Sequence, residues 1–302
     1  MKIAIPIVIS FLLSIDACSD DAPDWGPDVS NLGAPINTEA SEYNPELSPN
    51  GLSLIFSSRR EGGHGSNDLW IATRPALDAP WDAPRNLGAP INSPAWETGA
   101  TLTGDWLELY FTSTRGEGED RDLYVTTRTS IDAPFSEPRR LGPPINTDAT
   151  DSGPYVSEDG LTLVFSSTRP GGYGDRDLYM ATRASRDEPW SEVTNLGEAV
   201  NTVHDDSSPT MTADKRILFF HTRRREGSEK HDIYVTRRMD ENAPWSAAVP
   251  LEKINTAEYH EGTPTLSADA DVLLFRSERP GGLGNQDIWQ VRNPLEGIEW
   301  PD

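Results

Sequence analysis

Five carboxylates recur at matching places along the chain: Glu42, Glu97, Asp151, Asp206 and Glu261. The first four lie five residues after an Asn (Asn37, Asn92, Asn146 and Asn201), and Glu261 lies six after Asn255. Carboxylates that converge on one opening can hold a cation or a basic partner. Two or three at set separations can serve glycosidic bond cleavage as acid, base or nucleophile. Five at a common mouth would also repel, by about 1.5 kcal/mol per pair at roughly 10 Å and an effective dielectric of about 20. Such a ring calls for a bound cation, a basic partner, or backbone donors from each acid's own turn. A second set of chemically capable residues departs from the recurring pattern. His204-Asp205-Asp206 and Glu258-Tyr259-His260-Glu261 occupy equivalent loops and carry two of the five histidines. His204, His260 and the neighbouring acids are thus candidates for a divalent cation site or an acid–base pair, with solvated loop residues as the plainer reading. No HxxxH or HExxH spacing is present. Trp96, in the same loop of another copy, is either a sugar-stacking platform or an exposed anchor.

The elements that must position these groups come from an internal repeat. The phrase NLGAPIN begins at Asn31 and Asn86, and returns as RLGPPIN at Arg140, NLGEAVN at Asn195 and PLEKIN at Pro250. A second phrase of the form LxLxFSSxRxGGxGxxDLYxxTR follows each time, its aromatic anchor at Phe56, Phe111, Phe165, Phe220 and Phe275. A fixed period of about 55 residues, with four strand-like runs in each copy, is the signature of propeller blades. The expected fold is all-β: a five-bladed β-propeller, four antiparallel strands per blade, with repeats at about 31–85, 86–139, 140–194, 195–249 and 250–302.

Within a copy the first strand ends near Leu47, Leu102, Val156, Met211 or Leu266. Pairs such as Asn50-Gly51 and Asp159-Gly160 then suit a two-residue hairpin turn. The second strand is the run Leu52 to Ser57 and its equivalents, the third runs from Asp68 to Arg74, and the fourth occupies the segment from Trp81 to Asn92. The last copy stops before its fourth strand, so the N-terminal segment 31–38 is expected to complete it and close the ring. Trp25 and Trp300 compete for the aromatic slot there. Arg60, Arg115, Arg169, Arg224 and Arg279 end the second strands, and Asp68, Asp122, Asp177, Asp232 and Asp287 open the third. Their positions predict a bidentate Arg–Asp pair across each Gly-rich turn. Trp70, Tyr124, Tyr179, Tyr234 and Trp289 are expected between blades, as are Trp81, Phe135, Trp190 and Trp245. The Gly-Gly-x-Gly stretches lie between strands with no helix after them, so they read as turns and not as phosphate cradles.

The repeat, with its SPNG or SEDG turn, its FSSxR strand and its DLY strand, resembles the WD-repeat-like propeller repeats of TolB and related bacterial cell-envelope proteins. The resemblance covers nearly all of residues 31 to 302. It implies an envelope location and contacts with other proteins, peptidoglycan-associated lipoproteins or glycan. The chain departs from TolB in leaving no room for a preceding α/β domain and in having five blades where TolB has six.

Composition narrows the partners further. The 26 basic and 49 acidic residues leave a formal charge of −23, which argues against nucleic acid and anionic lipid and favours cations or basic protein faces. Residues 1–17 read as a signal segment: Lys2, an apolar stretch from Ile3 to Ile15, then Ala17 before Cys18, the single cysteine. Cys18 is the expected lipidation site, residues 18–30 a linker, and a lipid anchor the one membrane attachment; Ser19 leans towards the outer membrane by analogy with lipoprotein sorting. No nucleophile elbow, P-loop or dinucleotide fingerprint occurs. The resulting expectation is an exported, non-enzymatic propeller that binds a protein or cell-wall glycan without a cofactor, a divalent cation being compatible with it. The alternative is a carbohydrate-active hydrolase or lyase with its acids in the central funnel.

Overall fold

A computed structural model describes residues 28–116 and 120–301. The expected signal segment, Cys18 and Trp25 lie outside the described residues. The chain forms twenty strands and, among the described residues, no helix. They make five four-stranded antiparallel sheets. Blade 1 is β2 (Glu42–Leu47), β3 (Ser53–Ser58), β4 (Asp68–Thr73) and β5 (Arg85–Asn86). Blade 2 is β6 (Glu97–Leu102), β7 (Glu108–Ser113), β8 (Asp122–Thr127) and β9 (Arg139–Arg140). Blade 3 is β10 (Asp151–Val156), β11 (Thr162–Ser167), β12 (Asp177–Thr182) and β13 (Thr194–Asn195). Blade 4 is β14 (Asp206–Met211), β15 (Ile217–Thr222), β16 (Asp232–Arg237) and β17 (Val249–Pro250). Blade 5 is β18 (Glu261–Leu266), β19 (Val272–Ser277) and β20 (Asp287–Arg292), completed by β1 (Val29–Asn31) from the other end of the chain. Val29 pairs with Val291 and Asn31 with Trp289. The protein is a five-bladed β-propeller closed by its N-terminal segment, so no blade leaves an open sheet edge at the seam.

Alternation along the second strands explains why the blades stack. Ile55 joins Leu109, Phe111 and Tyr124 in a core between blades 1 and 2, while its neighbour Phe56 joins Leu274 and Ile288 in the core between blades 5 and 1. Adjacent side chains of one strand point to opposite faces, and both faces here are covered. Tyr110 with Phe165, Val164 with Phe220, and Phe219 with Phe275 occupy the other three interblade cores. Trp300 fills the aromatic slot of the last copy: it packs on the blade 4–5 core, with the Arg237 guanidinium 4.9 Å from its ring.

Two local expectations need correction. The fourth strand is two residues long in blades 1 to 4 and three in blade 5, and not a full segment. In its place, the closing Asn of each NLGAPIN-like phrase pairs with the third strand through its side chain: Asn92 Oδ1 accepts from Leu69 N at 2.9 Å and its Nδ2 donates to Leu69 O at 2.9 Å. Asn37, Asn146, Asn201 and Asn255 do the same in the other blades. The hairpin turns are also wider than two residues. Gly51 N bonds to Ser48 O at 2.7 Å, and the left-handed residue comes after that turn: Gly51, Trp106, Gly160, Lys215 and Ala270 all have positive φ. The Asn50 or Asp159 carboxamide or carboxylate accepts from the N–H two residues on, an Asx-type turn.

Candidate functional site

The five recurring carboxylates are all fully buried. Glu97 is representative. Its carboxylate accepts from Ser93 N at 2.9 Å, Ser93 Oγ at 2.7 Å and Ser113 Oγ at 2.8 Å, and meets Arg115 Nη2 at 3.2 Å. Glu42–Arg60, Asp151–Arg169, Asp206–Arg224 and Glu261–Arg279 repeat the arrangement, each carboxylate also receiving the N–H and hydroxyl of Thr38, Thr147, Thr202 or Thr256. Aspartate, one methylene shorter, draws its arginine closer, to 2.8 and 2.6 Å against 3.2 Å for the glutamates. The arginines in turn donate to the loop carbonyls of Ile36, Ile91, Ile145, Val200 and Ile254 and lie over the aromatic anchors Phe56, Phe111, Phe165, Phe220 and Phe275. These acids therefore do not line an open mouth; own-turn donors and one arginine each satisfy them. Burial outweighs those donors for Glu261, raising its carboxyl above the ordinary range.

The predicted Arg–Asp pair across the Gly-rich turn is replaced as well. Asp68, Asp177 and Asp287 accept the turn's own N–H groups, from His64 and Gly65 in the first case, and an Asn side chain. The third glycine of these turns faces the next blade. A Cβ on Gly174 would meet the backbone of Thr202, Val203 and His204, so the glycines seat one blade against its neighbour. Where the sequence varies, an arginine substitutes: Arg140 grips Asp122 with two bonds of 2.7 Å, and Arg225 meets Asp232 at 2.8 Å. Asp232, deprived of turn donors by the altered sequence of its copy, is pushed up to about 6 by burial despite Arg225.

A different set of residues lines the open centre. The first strands of the five blades surround the axis, and each carries a bulge. The left-handed residue within it is Asn44, Gly99, Gly153, Ser208 or Thr263. A bulge re-aims the backbone at a strand end, and these five residues form the floor of a funnel of about 280 Å³. Its wall carries Arg59, Arg121, Arg176, Arg223 and Arg276. One comes from each blade, yet they stand at three different repeat positions. Arg59 and Arg223 follow the second strand, Arg121 and Arg176 precede the third, and Arg276 is the penultimate residue of β19. Asp205 is the one carboxylate among the described residues that line the funnel. It is already bonded to Arg176 Nη1 at 3.3 Å and to Ser207 Oγ at 2.6 Å. Arg121 stacks on Trp96, 4.0 Å from the ring.

Three histidines form a ladder that begins in the same wall with His221 and His231 and continues to His260 behind it. His221 and His231 lie 4.6 Å apart between ring centres, and His231 and His260 5.0 Å. Thr263 N donates to His221 Nδ1 at 3.1 Å, which leaves the His221 proton on Nε2, facing Ser207 Oγ at 3.0 Å. Arg223 Nε donates to His231 Nε2 at 2.8 Å, His231 Nδ1 lies 3.2 Å from both His260 Nδ1 and Arg276 Nη2, and His231 N donates to His260 Nδ1 at 3.0 Å. Burial and the neighbouring arginines hold all three below the usual imidazole range, so they are neutral at pH 7. Of the two histidines singled out in the sequence, His260 belongs to this ladder, whereas His204 is exposed and stands apart from it. Among the described residues no group of three or more His, Cys, Asp or Glu is arranged to hold a metal ion.

Below the floor the channel narrows to about 30 Å³ around Glu46, Thr101, Tyr155, Thr210 and Thr265. Glu46 accepts from Thr101 Oγ1, Leu102 N and Thr265 Oγ1 at 3.0–3.2 Å. Burial lifts its carboxyl to about 7 against those bonds.

The architecture recurs in solved structures. TolB of Agrobacterium tumefaciens superposes with a TM-score of 0.54 at 16% identity, over 90% of this chain and 86% of that one. The α-L-arabinofuranosidase PaAbf62A of Podospora anserina, solved in complex with cellotriose, gives 0.59 at 12% identity over 87% and 94%. TolB of Acinetobacter baumannii gives 0.50 at 11% identity, with 84% of this chain covering 55% of that one. What is shared is the fold. No protein-family model and no curated protein matches the chain in sequence.

The residues missed in the sequence share one trait: each breaks the repeat at its position. Arg276 and His221 replace Ser57, Thr112 and Ser166; His231 replaces Asn67 and Gln286. Aligning the five copies column by column and asking which polar columns vary would have found them.

Proposed function

We propose that this chain is an exported binding propeller that holds an acceptor-rich ligand of the cell envelope, protein or glycan, in its central funnel, with Cys18 as its lipid anchor and the outer membrane as its location. The observation that carries this reading is the lining itself. It presents guanidinium groups and unpartnered donors, Trp96 Nε1, Arg176 Nε and Arg276 Nε, and one carboxylate that Arg176 already engages. Glycosidic bond cleavage uses two carboxyl groups about 5–9.5 Å apart, one of them free to carry a proton. Convergent donors serve binding instead. The net charge of −23 does not oppose this, because charges on the outer surface are screened beyond about 8 Å at physiological ionic strength while those in the funnel act at contact.

The test is to incubate the protein with neutral arabinoxylan oligosaccharides and with acidic cell-wall oligosaccharides, following both the thermal midpoint and released sugar. A rise in midpoint with an acidic oligosaccharide and no product from either set is the expected outcome. Release of arabinose or xylose would establish the hydrolase reading in its place.

A further inference from the structure

We infer that the funnel is a two-sided polyanion site, built for a ligand that carries at least two oxyanion groups, carboxylate or phosphate; this deepens the binding reading above and rests on it. The charge balance of the lining is the first ground. Five arginines face one carboxylate, and guanidinium groups stay protonated in proteins. Glu278, outside the lining, accepts from Gln286 Nε2 at 3.2 Å and offsets part of the charge of Arg276. The histidine ladder is neutral and contributes no anion; His231 meets Arg223 and Arg276, and His221 meets Thr263 N and Ser207.

The distribution of the cations is the second ground. Arg121 and Arg176 stand at the same repeat position on adjacent blades 2 and 3, each directly before its third strand, and Trp96 lies 4.0 Å from the Arg121 guanidinium. Arg223 and Arg276, on blades 4 and 5, both reach His231, at 2.8 and 3.2 Å, with Arg59 of blade 1 next in the ring. Around the ring, blades 2 and 3 carry the first group and blades 4, 5 and 1 the second. Each has a guanidinium Nε without a partner, Arg176 in the first and Arg276 in the second. A buried donor left unmade is costly, and five guanidinium groups against one carboxylate leave a positive excess that one singly charged anion does not neutralise. A ligand with two anionic groups can meet both, through the paired hydrogen bonds that guanidinium forms with carboxylate and phosphate.

The repeat supplies the third ground. Arginines demanded by the blade recur at one position, as Arg60 and its equivalents do. The funnel arginines reach one cavity from three different positions, so stacking of the blades does not require them.

The experiment is isothermal titration of the full chain with citrate, pyrophosphate, orthophosphate and acetate at constant ionic strength. Citrate or pyrophosphate should bind at least about a hundredfold more tightly than acetate, and binding should weaken with added salt. The ratio of citrate to pyrophosphate affinity distinguishes a carboxylate from a phosphate source. Arg121→Gln and Arg59→Gln, one from each side, should each weaken the better ligand by about tenfold. Arg59 is exposed, so its variant tests the inference even if Arg121→Gln disturbs the blade 2–3 contact. Exposed Arg216→Gln, outside the funnel, should change nothing. The inference is overturned if no polyanion binds below about 10 mM, if acetate binds as well as citrate and pyrophosphate, or if both funnel variants bind like the parent. A neutral oligosaccharide that binds while polyanions fail would sink the polyanion assignment and leave the binding reading standing. Sugar release would remove the binding reading itself.

Discussion

The buried acid ring and the funnel wall use the same residue types to opposite ends. In the ring, each arginine has its own carboxylate, and every carboxylate has a turn N–H and hydroxyl besides. In the funnel, five arginines share one carboxylate and two guanidinium Nε atoms have no partner. The ring recurs in all five blades because each blade must fix the same loop against the same strand. The funnel residues differ from blade to blade because all five blades face one shared cavity. Repetition here marks structure, and departure from it marks the site.

That contrast can be broken most sharply by mutation on its two sides. Glu97→Ala leaves Arg115 buried without its anion, and breaking a buried pair in this way costs about 3–5 kcal/mol. Arg59→Gln removes an exposed funnel cation and should change stability by no more than about 0.5 kcal/mol. Denaturant unfolding of both variants checks the pair. If Arg59→Gln proved as damaging as Glu97→Ala, the funnel arginines would be structural and the contrast would fail.

A smaller effect separates the channel constriction from the ring by pH. Glu46 holds its proton to about 7 in the folded chain against an ordinary value of 4.5. The folded state therefore binds more protons than the unfolded state between those values. Stability from this group is greatest below pH 4.5 and is lost as the pH rises to about 7. The loss amounts to about 2–3 kcal/mol after allowance for its partial exposure to the channel. Glu46→Gln keeps an acceptor for Thr101 and Thr265 and has nothing to ionise. Thermal melts should show it clearly more stable than the parent at pH 8 and close to it at pH 4.5.

Much of the fold was legible because the repeat is regular. The period sets five blades, the strand-like runs set four strands in each, and the missing last strand sets the N-terminal closure seen at Val29–Asn31. The extent of the fourth strand was not legible, because an Asn side chain replaces the backbone there, and side-chain pairing leaves no alternation to read. The acids turn out to be the first residue of each first strand. Their burial was hidden because an identical column of carboxylates suits either a mouth or a set of closed turns. The arginine partners were misassigned for a related reason: Glu42 and Asp68 both lie near Arg60, and only the turn N–H groups that claim Asp68 decide between them. The overall charge pointed towards cationic partners, whereas the funnel is cationic. A sum of charges says nothing of where they lie. Trp96 and His260 were noticed as departures from the repeat, and the arginines were not, since one per blade looks unremarkable until the five positions are compared.

The last test applies the same contrast to the turn between the first and second strands. All five copies place a left-handed residue there, at φ of +57 to +74°. Gly51 and Gly160 adopt it freely; Trp106, Lys215 and Ala270 do so against a steric cost of about 1–2 kcal/mol. Two of these departures have a visible return. Trp106 packs in the blade 1–2 core, and Lys215 Nζ holds Asp159 at 2.7 Å. Ala270 has a single methyl group and no such contact. Ala270→Gly should therefore stabilise the protein by about 0.5–1 kcal/mol, the relief of strain exceeding the added freedom of the unfolded chain. Trp106→Gly, which relieves the same strain, should destabilise it, because the lost burial of an indole outweighs that relief. Denaturant midpoints of the two variants would show whether a departure from the repeat is kept for what its side chain touches. Equal gains in both would mean that backbone strain alone governs the position.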